Sequence, residues 1–113
     1  MPVKTAIINV SVKLPLAVVK DRNTVFVYTP ALKLYGTGGS VEEATSNLKF
    51  HFKRFFSFYT NLNMLDAKLK SLGWMRQDHT IEPPIDFNVP VHLLRKNPAI
   101  KNVPFRIPLA VAN

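Results

Sequence analysis

The sequence predicts an α+β fold in which a small antiparallel sheet packs against a long helix and a second, shorter helix. Alternating apolar and polar residues near both ends of the chain predict strands. Between them, apolar residues recur every three or four positions behind a serine and two glutamates, which is typical of a capped amphipathic helix. We expect one domain over residues 1–113, with a core at 3–74, an irregular proline-bearing stretch at 77–102 and a C-terminal strand at 103–111.

The first part of the chain predicts a three-stranded meander. From Val3 to Leu14 the sequence alternates, with apolar residues at 6, 8, 10, 12 and 14, polar residues at 5, 9, 11 and 13, and Ile7 as the apolar exception on the polar face. Pro15 is expected to end or bend this strand, because proline cannot donate to a sheet ladder. Residues 20–23 predict a turn, residues 24–28 a second strand and residues 31–35 a short third strand.

The long helix is predicted from its start signal and its apolar stripe. Ser40 and Glu43 have the spacing of a capping box, in which each side chain bonds the backbone N–H of the other residue. The glycines at 36, 38 and 39 permit the positive φ angles of a sharp turn before the cap. The stripe then comprises Val41, Ala44, Leu48, Phe52, Phe55, Phe56 and Tyr59. The helix is expected to end near Tyr59 or Thr60.

The remainder of the chain predicts a second helix and an edge strand. The second helix spans roughly residues 64–72 and ends at Gly73, with Trp74 folding back over it. Residues 77–89 are expected to be irregular, and residues 90–97 to hold one short helix. Over 103–111 apolar residues alternate with Pro104 and Pro108, which predicts a strand at the edge of the sheet, because prolines there oppose further pairing.

The charge of the chain indicates an acidic partner. The formal net charge is +8 and the sequence pI is about 10.1, so nucleic acid, an acidic protein surface or anionic lipid would be attracted. Lys49, Lys53 and Arg54 form one tight group on the long helix and are the candidate contacts. A soluble surface without a specific partner is the alternative, since the other basic residues are scattered.

Four apolar residues are candidate oligomer contacts. Phe50 and Phe58 fall outside the main stripe of the long helix, so that helix is apolar on more than one face. Phe105 and Ile107 lie on the predicted edge strand. A homo-oligomer that forms through sheet edges or through the phenylalanine-rich helix is therefore expected.

Catalytic and metal sites are not predicted. Glu42 and Glu43 could be paired carboxylates for acid–base chemistry, but their positions after Ser40 are explained by capping. The glycine turn could hold an anion, although it lacks the residues of a phosphate loop. The three histidines have no metal-ligand spacing, and there is no cysteine. We expect no cofactor, no membrane helix and a cytoplasmic location.

Several of these residues together resemble the HicB-like antitoxin family. The resemblance covers roughly residues 3–74 and rests on "VFVYTPALKLYGTGGSVEEA" followed by a long helix and "LKSLGW". The matching residues are Tyr28, Pro30, Leu32, Gly36, Ser40, Glu43 and Ala44. The resemblance implies a degenerate ribonuclease-H-like fold without nuclease activity, which binds and neutralises a small ribonuclease toxin.

The resemblance leads to a functional expectation with one alternative. The first strand carries no acidic residue, so the first carboxylate of a two-metal nuclease is missing and no hydrolysis is expected. After Trp74 the sequence predicts neither a helix-turn-helix nor a ribbon-helix-helix segment. The expected function is a non-enzymatic, HicB-like interaction domain, an antitoxin-type protein that binds a partner protein. The alternative is a nucleic-acid-binding module that uses Lys49, Lys53 and Arg54.

Overall fold

Six strands and three helices form within residues 5–77, 79–84 and 89–112, the part of the chain that the computed structural model describes. The strands are β1 (Thr5–Asp21), β2 (Thr24–Thr29), β3 (Leu34–Gly38), β4 (Met75–Gln77), β5 (Thr80–Glu82) and β6 (Ala99–Ala112). The helices are α1 (Val41–Asn61), α2 (Leu65–Ser71) and α3 (Val91–Leu94). The predicted α+β class is confirmed.

The main sheet is antiparallel and has the strand order β3-β2-β1-β6. It contains the predicted N-terminal meander, and β6 is the predicted C-terminal edge strand, although it begins at Ala99, within the stretch predicted to be irregular, and not at residue 103. α1 packs against β3 and β2 on one face of this sheet. The core that results includes Leu14, Leu16, Val27, Leu48, Ile107 and Leu109, which are all buried.

The outer part of β1 extends past β2 and pairs with β6 alone. The pairs between β1 and β6 run from Thr5 opposite Ala112 to Val18 opposite Ala99, whereas β2 reaches only Ala17. We call residues 5–14 and 103–112 the ribbon. The molecule is 58 Å long and 25 by 21 Å across, and its radius of gyration of 15.4 Å exceeds the value of about 13 Å expected for a compact chain of this length.

β1 passes through Pro15 without ending, so of the two predicted outcomes the end of the strand is wrong and a bend stays a prediction. The two-residue turn between Asp21 and Thr24 implies that residues 17, 19 and 21 direct their N–H groups towards β2. Pro15 follows the same alternation, but the last pair with β2 is at Ala17. The missing N–H of Pro15 therefore leaves no hydrogen bond of the ladder unmade.

β3 begins later than predicted. Residues 30–33 form a turn, in which Lys33 has a φ angle of 54°, and the strand starts at Leu34. Ala31 and Leu32 are buried in this turn. The apolar character of these two residues therefore reflects burial in the core and not strand formation.

The glycines of β3 permit a close approach to α1. A Cβ at Gly36 would lie 2.3 Å from the carbonyl oxygen of Ala44, and a Cβ at Gly38 would lie 2.6 Å from Cβ of Glu43. Neither glycine has a positive φ angle, so the predicted role in a sharp turn is wrong. These positions need glycine because no side chain fits between the strand and the helix.

The start of α1 is capped as predicted, with one difference. The Ser40 hydroxyl accepts a hydrogen bond of 3.1 Å from the N–H of Glu43. The Glu43 carboxylate accepts a 2.8 Å bond from the N–H of Gly39, and not from Ser40. The predicted stripe is confirmed, since Leu48, Phe52 and the other members are buried or half-buried.

α2 ends in a Schellman motif. Gly73 has a φ angle of 95°; its N–H donates to the carbonyl of Lys70, and the N–H of Trp74 donates to the carbonyl of Leu69, both at 3.0 Å. The buried indole of Trp74 also donates from Nε1 to the carbonyl of Ala31 at 2.7 Å. The predicted helix end and the folding back of Trp74 are both confirmed.

The stretch after Gln77 is more regular than predicted. β4 and β5 form an antiparallel hairpin, and Ile81 of β5 packs in the core. Each strand has three residues, which is too short for a periodic signal in the sequence. The short helix expected within residues 90–97 is confirmed as α3.

Both edges of the sheet carry groups that oppose further strand pairing. On β6, Pro104 and Pro108 lack the N–H donors that an added strand would need. On β3, the N–H of Thr37 already donates to Oδ1 of Asn47 on α1, at 3.0 Å. Two surfaces were expected to mediate self-association, the sheet edges and the phenylalanine-rich helix. The sheet edges are therefore disfavoured, and the surface of α1 remains as the candidate.

Candidate interaction surfaces

The exposed side of α1 carries two large aromatic side chains. Phe50, Arg54 and Phe58, which we call the aromatic face, are spaced four residues apart and so follow one line along the helix. The side chains of Phe50 and Phe58 are 54% and 57% exposed. Their rise along the helix separates them by about 12 Å. Phe52 and Phe56 point into the core instead, as the helical period requires.

The aromatic face places a positive charge against an exposed ring. The guanidinium carbon of Arg54 lies 5.7 Å from the ring centroid of Phe50, which is the distance of a cation–π contact. The ring of His51 meets Phe50 edge-on, with 5.7 Å between the centroids. A ligand at this surface would therefore meet apolar rings and basic groups together.

A groove of about 500 Å³, the α1/β3 groove, lies beside the aromatic face. Its walls include the rings of Tyr35, Phe55 and Phe58 and the basic side chains of Lys33, His51 and Arg54. Tyr35 is 62% exposed. No carboxylate of the described chain lines this groove, so it favours a partner surface that is apolar and acidic.

A larger groove of about 730 Å³, the α1/ribbon groove, involves α1, the start of α2 and the ribbon. The charged side chains in its walls are those of Lys53, Asp66, Arg76 and Arg106. Nη1 of Arg76 donates to Oδ1 of Asp66 at 2.7 Å. Ile7, the apolar exception on the polar face of β1, is 58% exposed and forms part of the wall.

The three predicted basic contacts are exposed but do not form one cluster. Lys53 lines the α1/ribbon groove, and Arg54 lines the α1/β3 groove. One residue turns a helix by about 100°, so neighbours in sequence diverge around its axis. Lys49 is exposed and lines neither groove. A single ligand would have to cross the helix to reach both Lys53 and Arg54.

Two of the four predicted oligomer contacts lie in the core. Phe105 is 5% exposed and Ile107 is fully buried, and the ring of Phe105 stacks on Phe52 with 5.0 Å between the centroids. These two residues are therefore removed from the surface candidates. Phe50 and Phe58 are exposed, and their role as oligomer contacts stays a prediction.

The acidic residues at the start of α1 have a structural role. The Glu43 carboxylate accepts from Gly39, and this bond occupies a donor that an anion in the glycine turn would use. Glu42 is exposed in the first turn, where its negative charge interacts favourably with the positive end of the helix dipole. Within the described ranges, no three histidine, aspartate or glutamate side chains are placed to hold a metal ion.

Tyr35, Arg76 and Arg106 were missed by the sequence interpretation. Tyr35 lies in a predicted strand that suggests no role, and Arg76 on β4 and Arg106 on β6 line one groove only because segments distant in sequence pack side by side. In the sequence, only Ile7 indicated this groove, since an apolar residue on the polar face of a strand is expected to pack against another segment.

In the described part of the chain, no helix is long and apolar enough to cross a bilayer. The chain matches no protein-family model, no curated protein and no solved structure.

Proposed function

We propose that this chain is a non-enzymatic, HicB-like interaction domain that binds a partner protein through the aromatic face and the α1/β3 groove. The observation that carries the proposal is the group of three aromatic side chains, Tyr35, Phe50 and Phe58, that are more than half exposed in one region. Large aromatic side chains supply much of the energy of protein interfaces, and exposed clusters of them mark interaction sites.

The order of the elements supports the HicB-like part of the proposal. A meander, a long helix that begins with Ser40 and Glu43, and a second helix that ends at Gly73 follow one another along the chain. In this family the partner is a small ribonuclease toxin, and the pair acts in the cytoplasm as a toxin–antitoxin system. Since three basic side chains and no carboxylate among the described residues line the α1/β3 groove, the contacting surface of the partner is expected to be acidic.

A homo-oligomer would use the same aromatic face, because both sheet edges oppose pairing. Self-association and partner binding then compete for Phe50 and Phe58. Basic residues on α1 repel their copies across such a contact, so we propose that the acidic partner displaces the second copy.

The experiment uses the product of the reading frame next to this one, co-expressed with the full chain. We expect a complex, and relief of growth arrest if the product is a ribonuclease. The double variant Phe50→Ser/Phe58→Ser should weaken the complex about 30-fold or more, as expected for central aromatic contacts. Isothermal calorimetry on the purified proteins measures this change.

The matched control is Met75→Ser/Ile100→Ser, which removes two other exposed apolar side chains, on β4 and β6. It should leave the affinity unchanged. Equal losses in both double variants, or no loss in the first, would contradict the assignment of the aromatic face.

Nucleic-acid binding is the second candidate, because Arg54 lies against an exposed phenylalanine ring and Lys49 and Lys53 are exposed nearby. Basic groups beside aromatic rings bind single strands through phosphate contacts and base stacking. This candidate predicts RNA retention that falls steeply with salt and is lost when Lys49, Lys53 and Arg54 are changed to Glu. Retention that is insensitive to those changes would exclude it.

A further inference from the structure

We propose that the α1/ribbon groove is a binding site for a nucleoside monophosphate, either free or as the phosphorylated end of an RNA strand. The site is separate from the aromatic face and does not depend on the protein partner proposed above. A volume of about 730 Å³ is within the range of small-molecule sites.

The charges in the groove favour the binding of an anion. Among the described residues, its walls carry three basic side chains and one carboxylate, and that carboxylate, Asp66, is already bonded to Arg76. Lys53 and Arg106 make no ion pair or hydrogen bond with any residue that the structure describes. The guanidinium of Arg106 offers the fork of donors that fits phosphate, and the ammonium of Lys53 adds a second positive charge.

The pair of Arg76 and Asp66 distinguishes a nucleotide from a simple anion. Arg76 holds one carboxylate oxygen of Asp66 at 2.7 Å, and the side chain of Asp66 is 67% exposed, so its other oxygen is available. A carboxylate held in this way is a suitable acceptor for ribose hydroxyl groups. An acidic peptide, by contrast, would bring its carboxylates against Asp66 and be repelled.

The rest of the wall suits a planar base. Asn9, Asn61 and Asn63 line the groove and present amides, which offer both donors and acceptors to the edge of a base. Ile7, more than half exposed, and Pro108 supply apolar surface for its face. Asn9 stands opposite Pro108 in the pairing of β1 with β6, so an amide and an apolar ring share one face of the ribbon.

The test is an NMR titration of the full chain with AMP, adenosine, inorganic phosphate and 2′-deoxy-AMP. AMP should shift the resonances of residues in the groove and bind at least tenfold more tightly than adenosine or inorganic phosphate. The 2′-deoxy compound should bind more weakly than AMP, because it lacks one hydroxyl donor. An RNA hexamer with a 5′-phosphate, compared with the same hexamer without it, separates the two sources of the ligand. If the phosphorylated hexamer binds more tightly than AMP, the ligand is a strand end. If it binds more weakly than AMP, the ligand is the free nucleotide.

The variants Lys53→Gln and Arg106→Gln should each weaken AMP binding about tenfold. Lys101→Gln and Arg95→Gln are the matched controls, since both residues are exposed and outside the groove, and they should leave binding unchanged. Urea midpoints establish that all four variants are folded.

Three results would overturn the proposal: no shift at millimolar AMP, inorganic phosphate binding as tightly as AMP, or equal losses in the test and control variants. Displacement of AMP by a glutamate-rich peptide would assign the groove to an acidic protein instead. None of these results bears on the aromatic face, because the variants there concern Phe50 and Phe58.

Discussion

Gly36 sets the distance between β3 and α1. A methyl group on this residue would lie 2.3 Å from the carbonyl oxygen of Ala44 and 2.5 Å from the backbone nitrogen of Leu48. Both atoms belong to the helix backbone, so the whole helix would have to move. The glycine was recognised from the sequence, but its reason was not, because a close approach depends on which helix residues cross the strand.

Gly36→Ala is therefore expected to destabilise the fold by about 3 kcal/mol through overpacking. Gly39→Ala is the matched control, since the nearest atom to its new methyl group would be the flexible carboxylate of Glu43, at 3.3 Å, and its cost should stay below about 1 kcal/mol. Urea unfolding measures both. Equal effects would show that β3 and α1 do not approach as described.

Thr29 is a buried polar residue without an evident partner. Its side chain is fully buried, and its hydroxyl has no hydrogen-bond partner in the described part of the chain. A buried hydroxyl that makes no bond costs free energy of folding. Thr29→Val keeps the shape and should raise the free energy of unfolding by about 1 kcal/mol, as measured by urea unfolding.

Thr24→Val changes an exposed residue of the same strand and controls for the increase in strand propensity. It should raise the free energy of unfolding by less than Thr29→Val does. A loss of stability in Thr29→Val would mean that the hydroxyl is bonded after all.

Among the helices and strands, the sequence correctly predicted the ones that show a long periodic pattern of apolar residues. α1 and its cap, the end of α2 at Gly73 and the alternation of β6 were all confirmed. The errors lie where pairing with a distant segment decides the outcome. Pro15 does not end β1 because β2 has stopped at that level, and the β4–β5 hairpin is too short to show a period.

The residues of the candidate surfaces also differ in whether a local sequence pattern could identify them. The helical period identified Phe50 and Phe58 as exposed, since both fall off the stripe that faces the sheet. The alternation of β6 put Phe105 on the apolar face of the strand, but it could not show whether that face packs in the core or against a second copy. Tyr35 and Arg106 needed the positions of β3 and the ribbon beside α1, which no local pattern contains.

The protection of the β6 edge gives a prediction for that element. The double variant Pro104→Val/Pro108→Val would add two N–H donors to the open side of the strand, so strand pairing between copies becomes possible. We expect this variant to form larger species as its concentration rises, measured by light scattering. Arg106→Val, between the two prolines, raises strand propensity without adding a donor and should not change the mass. A double variant that stays the size of the parent would show that the prolines do not protect this edge.

For the described part of the molecule, each edge of the main sheet carries groups that oppose pairing, and α1 exposes an aromatic surface. Acids on α1 are confined to its first turn; the aromatic face contains Arg54, and Lys49 and Lys53 are exposed elsewhere on the same helix. Contact between two copies through this face would bring like charges together, whereas contact with an acidic partner would bring opposite charges together. The two interactions should therefore respond to salt in opposite directions, because ions screen both.

The sedimentation mass of the chain at about 0.05 M and about 0.5 M salt shows directly whether α1 carries the protein-binding surface. We expect a mass that increases with salt and returns to that of a single chain in Phe50→Ser/Phe58→Ser. Association that is stronger at low salt, or that survives this double variant, would contradict the claim that the aromatic face of α1 is the binding surface of the molecule.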